Sequence, residues 1–207
     1  MPGRMGPGHL DEAGIRARLR IATAAQHERL DCALAYVIDA ALTRDRYVDL
    51  LDAMLGFYAP FEQQLASWHA SGVPGLPVIH RARLLARDLQ ALGRDPRAAA
   101  VCTALPVLSS VDHAAGAMYV VEGACLGGQV IARTVRANLG IDEGSGLAFF
   151  IGDGRHTGAR WQRVLAWLDA RDRDEGMGDE IVEGARRTFV AMTEWLAVRE
   201  VLDERPA

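Results

Sequence analysis

Apolar side chains recur along this chain at three- and four-residue steps almost everywhere. Ile15, Leu19, Ala22, Leu30, Leu34 and Val37 mark an amphipathic helix over about 11–38. Thr43 is placed to cap a second helix, in which Tyr47, Leu50, Leu51, Met54, Leu55 and Tyr58 line one side up to about residue 70, with a kink expected at Pro60. SGVPGLP at 71–77 reads as a loop, followed by helical patterns at about 78–92 and 96–104. Ser110 or Asp112 opens a long segment that Gly140 ends as a C-cap. A glycine-punctuated connection covers 140–154, and helices at about 157–171 and 179–203 complete the pattern.

The eight prolines avoid 8–59 and 107–205, so long helices are permitted in both stretches, and no strand-like alternation of useful length appears. The expectation is an all-α, single-domain bundle of seven or eight helices spanning 11–207, behind a flexible Gly/Pro tail at 1–10. A length of 207 residues suits one domain.

Net charge is −4 with no lysine at all, which argues against nucleic-acid or anionic-membrane binding, since both call for a basic face. Every cation is therefore an arginine, which keeps its charge when partly buried and forks onto carboxylates. Cys32, Cys102 and Cys125 are odd in number and lack CxxC spacing, the usage expected of a reducing cytoplasm. The first residues have no signal-like apolar core. The best uninterrupted apolar run, Ala114 to Val121, stops at Glu122, too short to span a membrane.

Two segments carry unusual residues. In LRIATAAQHERLD at 19–31, His27 lies on the margin of the apolar stripe, with Thr23 one turn before, Arg20 two turns before and Asp31 one turn after. Such a histidine is either a satisfied core residue or a neutral imidazole facing a pocket, suited to ligating iron. In AAGAMYVVEGACLGGQVIARTV at 114–135, Gly116, Gly123 and Gly127 share one helical face and Gly128 adjoins them. Each mid-helix glycine costs about 1 kcal/mol relative to alanine. Close helix packing, a loop splitting two helices, or a flat ligand lying on bare backbone would each account for that cost. Ten of the 21 glycines fall between 116 and 158, which favours a special local geometry.

Together the two segments resemble the biliverdin-producing heme oxygenase family. The proximal pattern reads L-R-x-A-T-x-x-x-H-x-x-x-D at 19–31 and the distal one Y-V-V-E-G-A-C-L-G-G-Q-V at 119–130, with a weaker match in G-A-R-R-T-F at 184–189. The YVVEG wording is similar to the bacterial branch, including enzymes that supply chromophore to bacteriophytochromes. The resemblance implies a helical bundle holding heme between proximal and distal helices. His27 becomes the proximal iron ligand, with Asp31 on its free nitrogen and Thr23 in the same segment. Gly123, Gly127 and Gly128 become the distal helix, and Arg20 and Arg186 approach the propionates. Ala124 departs from animal-type members, which carry an aspartate there to organise distal water. Heme would be both substrate and cofactor, cleaved with O2 and electrons from a reductase or ferredoxin to biliverdin, CO and ferrous iron.

Other residues read as ordinary. His69, His80, His113 and His156 are expected at the surface or at caps, His9 in the tail, and Cys125 as a small buried side chain. Trp161, Trp167 and Trp195 are expected in the core, and Arg81, Arg83 and Arg87 as a solvated basic face able to dock an acidic electron donor. Two competing functions stay open: a non-catalytic heme sensor or carrier on the same site, and a thiaminase-like helical enzyme, which would need a nucleophilic cysteine.

Overall fold

The computed structural model describes residues 14–70 and 78–203. Those residues fold into eight α-helices: α1 (Ile15–Ala22), α2 (Ala24–Ala33), α3 (Arg44–Ala70), α4 (Arg81–Ala91), α5 (Val111–Leu139), α6 (Ala148–Ile151), α7 (Thr157–Glu175) and α8 (Gly178–Val198). The tail expected at 1–10 and the loop at 71–77 lie outside the described residues, as do His9 and the side chain of His69.

Caps fall where the sequence puts them at three ends. Thr43 Oγ1 accepts from Arg46 N at 3.3 Å, and Ser110 Oγ, rather than Asp112, accepts from His113 N at 3.1 Å. Gly140 takes the left-handed conformation, φ 66°, and stops α5. Pro60 lies inside α3 without ending it.

Four expected boundaries change, the first three through a tertiary or side-chain contact. The helix expected over 11–38 breaks at Thr23, whose buried hydroxyl donates back to Leu19 O at 2.8 Å. The one expected at 96–104 shrinks to a single 3₁₀ turn, Pro96–Ala98. Beyond it the chain is pulled onto α3, where Cys102 N donates to Gly56 O at 2.9 Å. Gly56 permits this approach, since a Cβ there would lie 2.2 Å from Ala100 O. Within the connection at 140–154, buried Asp88 of α4 accepts from Ala148 N (2.9 Å) and Phe149 N (2.7 Å) and so starts α6. The last helix ends at Val198, and Glu200 follows with φ 55°.

The core is a central pair, α5 against α8, wrapped by the other helices. Two glycines set how close the pair comes. A Cβ on Gly116 would lie 1.9 Å from Ile181 O, and one on Gly184 would lie 2.2 Å from His113 O. Gly116 is therefore a packing residue and no part of a ligand-facing surface. α5 runs unbroken through all its glycines, so no loop divides it. By length and apolarity alone α5 could cross a membrane, with a mean hydropathy of 1.3, but half of that window is buried inside the bundle.

Candidate functional site

Two anchors place the His27 segment along α5. Burial raises the pKa of Tyr119, while Arg16 and Arg20 lie near enough to pull it down. Nineteen residues further along each segment, Asn138 Nδ2 donates to Asp39 O at 3.0 Å. The segment from Arg20 to Asp39 thus runs in the same sense as α5 from Tyr119 to Asn138. His27 lies between these two anchors in sequence, on α2, which packs on α8.

On the α2 side, the His27 side chain is 61% exposed and its Nδ1 lies 2.9 Å from Asp31 Oδ2. The i,i+4 spacing of one helix face creates that pair. The rear of the ring rests edge-on against Phe189 of α8, centroids 5.8 Å apart. Asp31 holds the Nδ1 proton, so the Nε2 lone pair is the one available to a metal. Thr23 is 2% exposed and its hydroxyl is committed to Leu19 O, so it shapes the bend between α1 and α2 rather than offering a polar group.

The glycines of α5 divide by environment. Among the described residues, a Cβ on Gly127 would meet nothing within 4 Å. One on Gly123 would make ordinary contact with Trp161 at 3.4 Å, and one on Gly128 would crowd Phe150 O at 3.0 Å. Ala124 is exposed beside them. Leu126 and Val130, 42% and 43% exposed, flank the bare stretch, and Ile21, on α1, is exposed as well. An apolar surface left open in this way marks a binding face. A flat ring system fits the α5 surface: open space over Gly127 with apolar side chains around it.

Arg20 is exposed. Arg186 is exposed as well, but its Nε donates to Ala22 O at 3.1 Å. It thereby ties α8 to the end of α1 and leaves its terminal nitrogens for an anion.

Residues 13–198 match the family model for heme oxygenase, nine-tenths of the sequence. The chain belongs to the heme oxygenase family. It is 32% identical to a heme oxygenase of Xanthomonas campestris pv. campestris over 151 residues, covering 70% of this chain and 85% of that one. Its fold is similar to that of the heme oxygenase from Neisseria meningitidis, solved with NO and CO bound (TM-score 0.75, 20% identity, 93% of this chain and 95% of that one). The Leptospira interrogans heme oxygenase gives a TM-score of 0.72 at 18% identity, covering 90% of this chain and all of that one. Heme oxygenase-1 of Synechocystis sp. PCC6803, solved with heme, gives 0.69 at 17% identity over 90% and 92%. Among the competing functions, family membership selects the heme-degrading oxygenase. Two of the three cysteines agree: burial pushes the Cys125 thiol up to about 11 and raises that of Cys102, so neither of these is a ready nucleophile.

Two residues expected at the oxygenase surface are buried instead. His113 is 5% exposed, with Nε2 2.7 Å from Glu180 Oε2 and Nδ1 3.0 Å from Ser109 Oγ. The reason is the glycine contact, because Gly184 lets α8 close over the His113 backbone. Arg81 is 4% exposed, while Arg83 and Arg87 remain on the solvent face. His80 and His156 are exposed at the starts of α4 and α7. Trp161 is core, and Trp167 and Trp195 pack against it.

Burial opposes the charge of Arg81, but the Cys125 sulfur, Glu122 and Asp153 outweigh it and raise its pKa. Glu122, which ends the apolar run and belongs to the distal motif, is 2% exposed. Its sequence signal was available: a carboxylate inside an apolar run needs a cationic partner. The identity of that partner was not available, because Arg81 and Arg160 lie about 40 residues away on either side.

Proposed function

We propose that this oxygenase seats heme between α2 and α5, with His27 Nε2 as the axial ligand, and opens the ring to biliverdin, CO and ferrous iron. The observations that carry this reading are the exposed His27 with its Nδ1 taken by Asp31, and the bare backbone at Gly127 in the other motif segment. Heme supplies its own iron for oxygen binding and its own carbon for oxidation.

The chain's residues supply orientation. Asp31 fixes the imidazole tautomer, Phe189 backs the ring, and Gly123, Ala124, Gly127 and Gly128 form a wall without bulky or ionisable side chains. Ala124 brings no carboxylate, so proton-bearing water there depends on backbone carbonyls or on another side chain. Arg20 and the free end of Arg186 take the propionates as bidentate cations. Electrons come from a separate reductase or ferredoxin; Arg83 and Arg87 offer an acidic donor two exposed cations. Reduced cysteines support a cytoplasmic setting, and the bacterial wording of the distal segment supports delivery of product to a bacteriophytochrome.

Titration with hemin, followed by a reductant under air, tests the reading. Loss of the Soret band with growth of biliverdin absorption is expected. A Soret band that persists under reducing, aerated conditions would instead identify a heme carrier or sensor.

A further inference from the structure

Among the described residues no atom lies within 4 Å of a Cβ built on Gly127, and the intrinsic helix propensity of the glycine-rich turns of α5 is low. Behind them stands Glu122, directly before Gly123. Arg160 of α7 forks onto its carboxylate, with Nε 2.6 Å from Oε2 and Nη2 2.7 Å from Oε1. Arg81, at the start of α4, places Nη2 3.8 Å from Glu122 Oε2 and donates to Asp153 Oδ2 at 3.0 Å. Asp153, in the turn before α7, also lies 3.6 Å from Arg160 Nε. Arg160 Nη2 donates further to Val78 O at 2.8 Å. Four charges from four places in the chain thus converge immediately behind the distal wall.

A buried ion cluster is a poor way merely to add stability, because apolar side chains of similar volume usually do as well. It does add direction. A planar fork on a carboxylate fixes distance and rotation together, which an apolar contact does not. We propose that Glu122 is a positioning residue for the distal wall: its fork with Arg160, backed by Arg81 and Asp153, sets the height and rotation of Gly123–Gly128 over the heme. The clamp does from behind what side chains would otherwise do from the front. This inference rests on heme lying against that face, as proposed above.

The decisive variant is Glu122→Gln, which keeps the shape and removes the charge. In the heme-free protein, amide hydrogen exchange at 123–128 is expected to speed up at least tenfold, while core amides of α3 and of α8 change less than twofold. With hemin and reductant, the variant is expected to bind heme within about threefold of wild type yet release an altered mixture of biliverdin isomers. Arg160→Lys keeps the cation and loses the fork; it should show the same pattern at smaller amplitude, and it carries the test should Glu122→Gln fail to fold. Exchange that is unchanged at 123–128, or that rises equally across α3 and α8, would overturn the proposal. So would an isomer ratio identical to wild type. If the wild-type protein leaves heme intact, the functional reading falls, and the exchange data still decide whether the clamp exists.

Discussion

The two walls of the cleft are built in opposite ways. On the proximal side α2 is ten residues long, with Leu30 as its one buried side chain and its histidine mostly in solvent. On the distal side α5 runs 29 residues, packs on α8 through reciprocal glycine contacts and is held from behind by the Glu122 cluster. α2 has little apolar burial to order it, so on the proposed reading heme coordination by His27 adds to its order. On the same reading the clamp sets the distal wall before any ligand arrives. The difference would then match two tasks: one wall follows the iron, and the other keeps a fixed space beside it.

The largest expected effect breaks the proximal wall. His27→Ala should lower ring opening at least a hundredfold while leaving helical content unchanged, since the side chain is exposed. Exogenous imidazole should restore part of the activity by supplying the missing nitrogen. Wild-type turnover with an unaltered heme spectrum would remove His27 from the site.

The distal wall is split by a pair of glycines. Gly116→Ala forces a methyl into the Ile181 carbonyl and should destabilise the fold by about 3 kcal/mol or more. Gly127→Ala meets open space and should melt no lower than wild type, gaining helix propensity of up to about 1 kcal/mol. Gly127→Val should fold and bind heme but turn it over about tenfold more slowly. Equal losses of stability at 116 and 127, with specific activity unchanged, would contradict the division of the glycines into packing and ligand-facing members.

Smaller effects are expected where the cleft meets solvent. Arg20→Glu or Arg186→Glu should weaken heme binding by only about 0.2–1 kcal/mol, the range of an exposed ion pair, yet yield mixed biliverdin isomers. A single unchanged isomer from both would show that other groups orient the ring.

The smallest effect concerns pH. Burial holds the Cys125 thiol protonated up to about 11, whereas an unfolded cysteine ionises near 9. The folded state then binds more protons than the unfolded state between those values, so stability falls as pH rises from 9 to 11. Cys125→Ala should remove part of that fall, on the order of 2 kcal/mol at most. Urea midpoints for both proteins across that range check it; identical curves would mean the thiol is not shielded.

Local chemistry was readable from the sequence wherever it depends on residues within a few positions of one another. Helical periodicity, the Thr43, Ser110 and Gly140 caps, and the i,i+4 pairing of His27 with Asp31 are all set within two turns of chain. The motifs, which span a dozen residues each, carried the family. Contacts between distant segments were decided by the tertiary structure alone. Gly116 and Gly127 look alike in the sequence, yet Ile181 stands against one and empty space against the other. Arg81 and His113 read as surface residues until Glu122 and Asp153, or Glu180 and Gly184, arrive from other helices. The helix expected at 96–104 loses to a hydrogen bond with Gly56, and α6 exists because Asp88 caps it from 60 residues away. Propensity and periodicity are properties of one segment; burial, charge pairing and open space belong to what the fold brings against it.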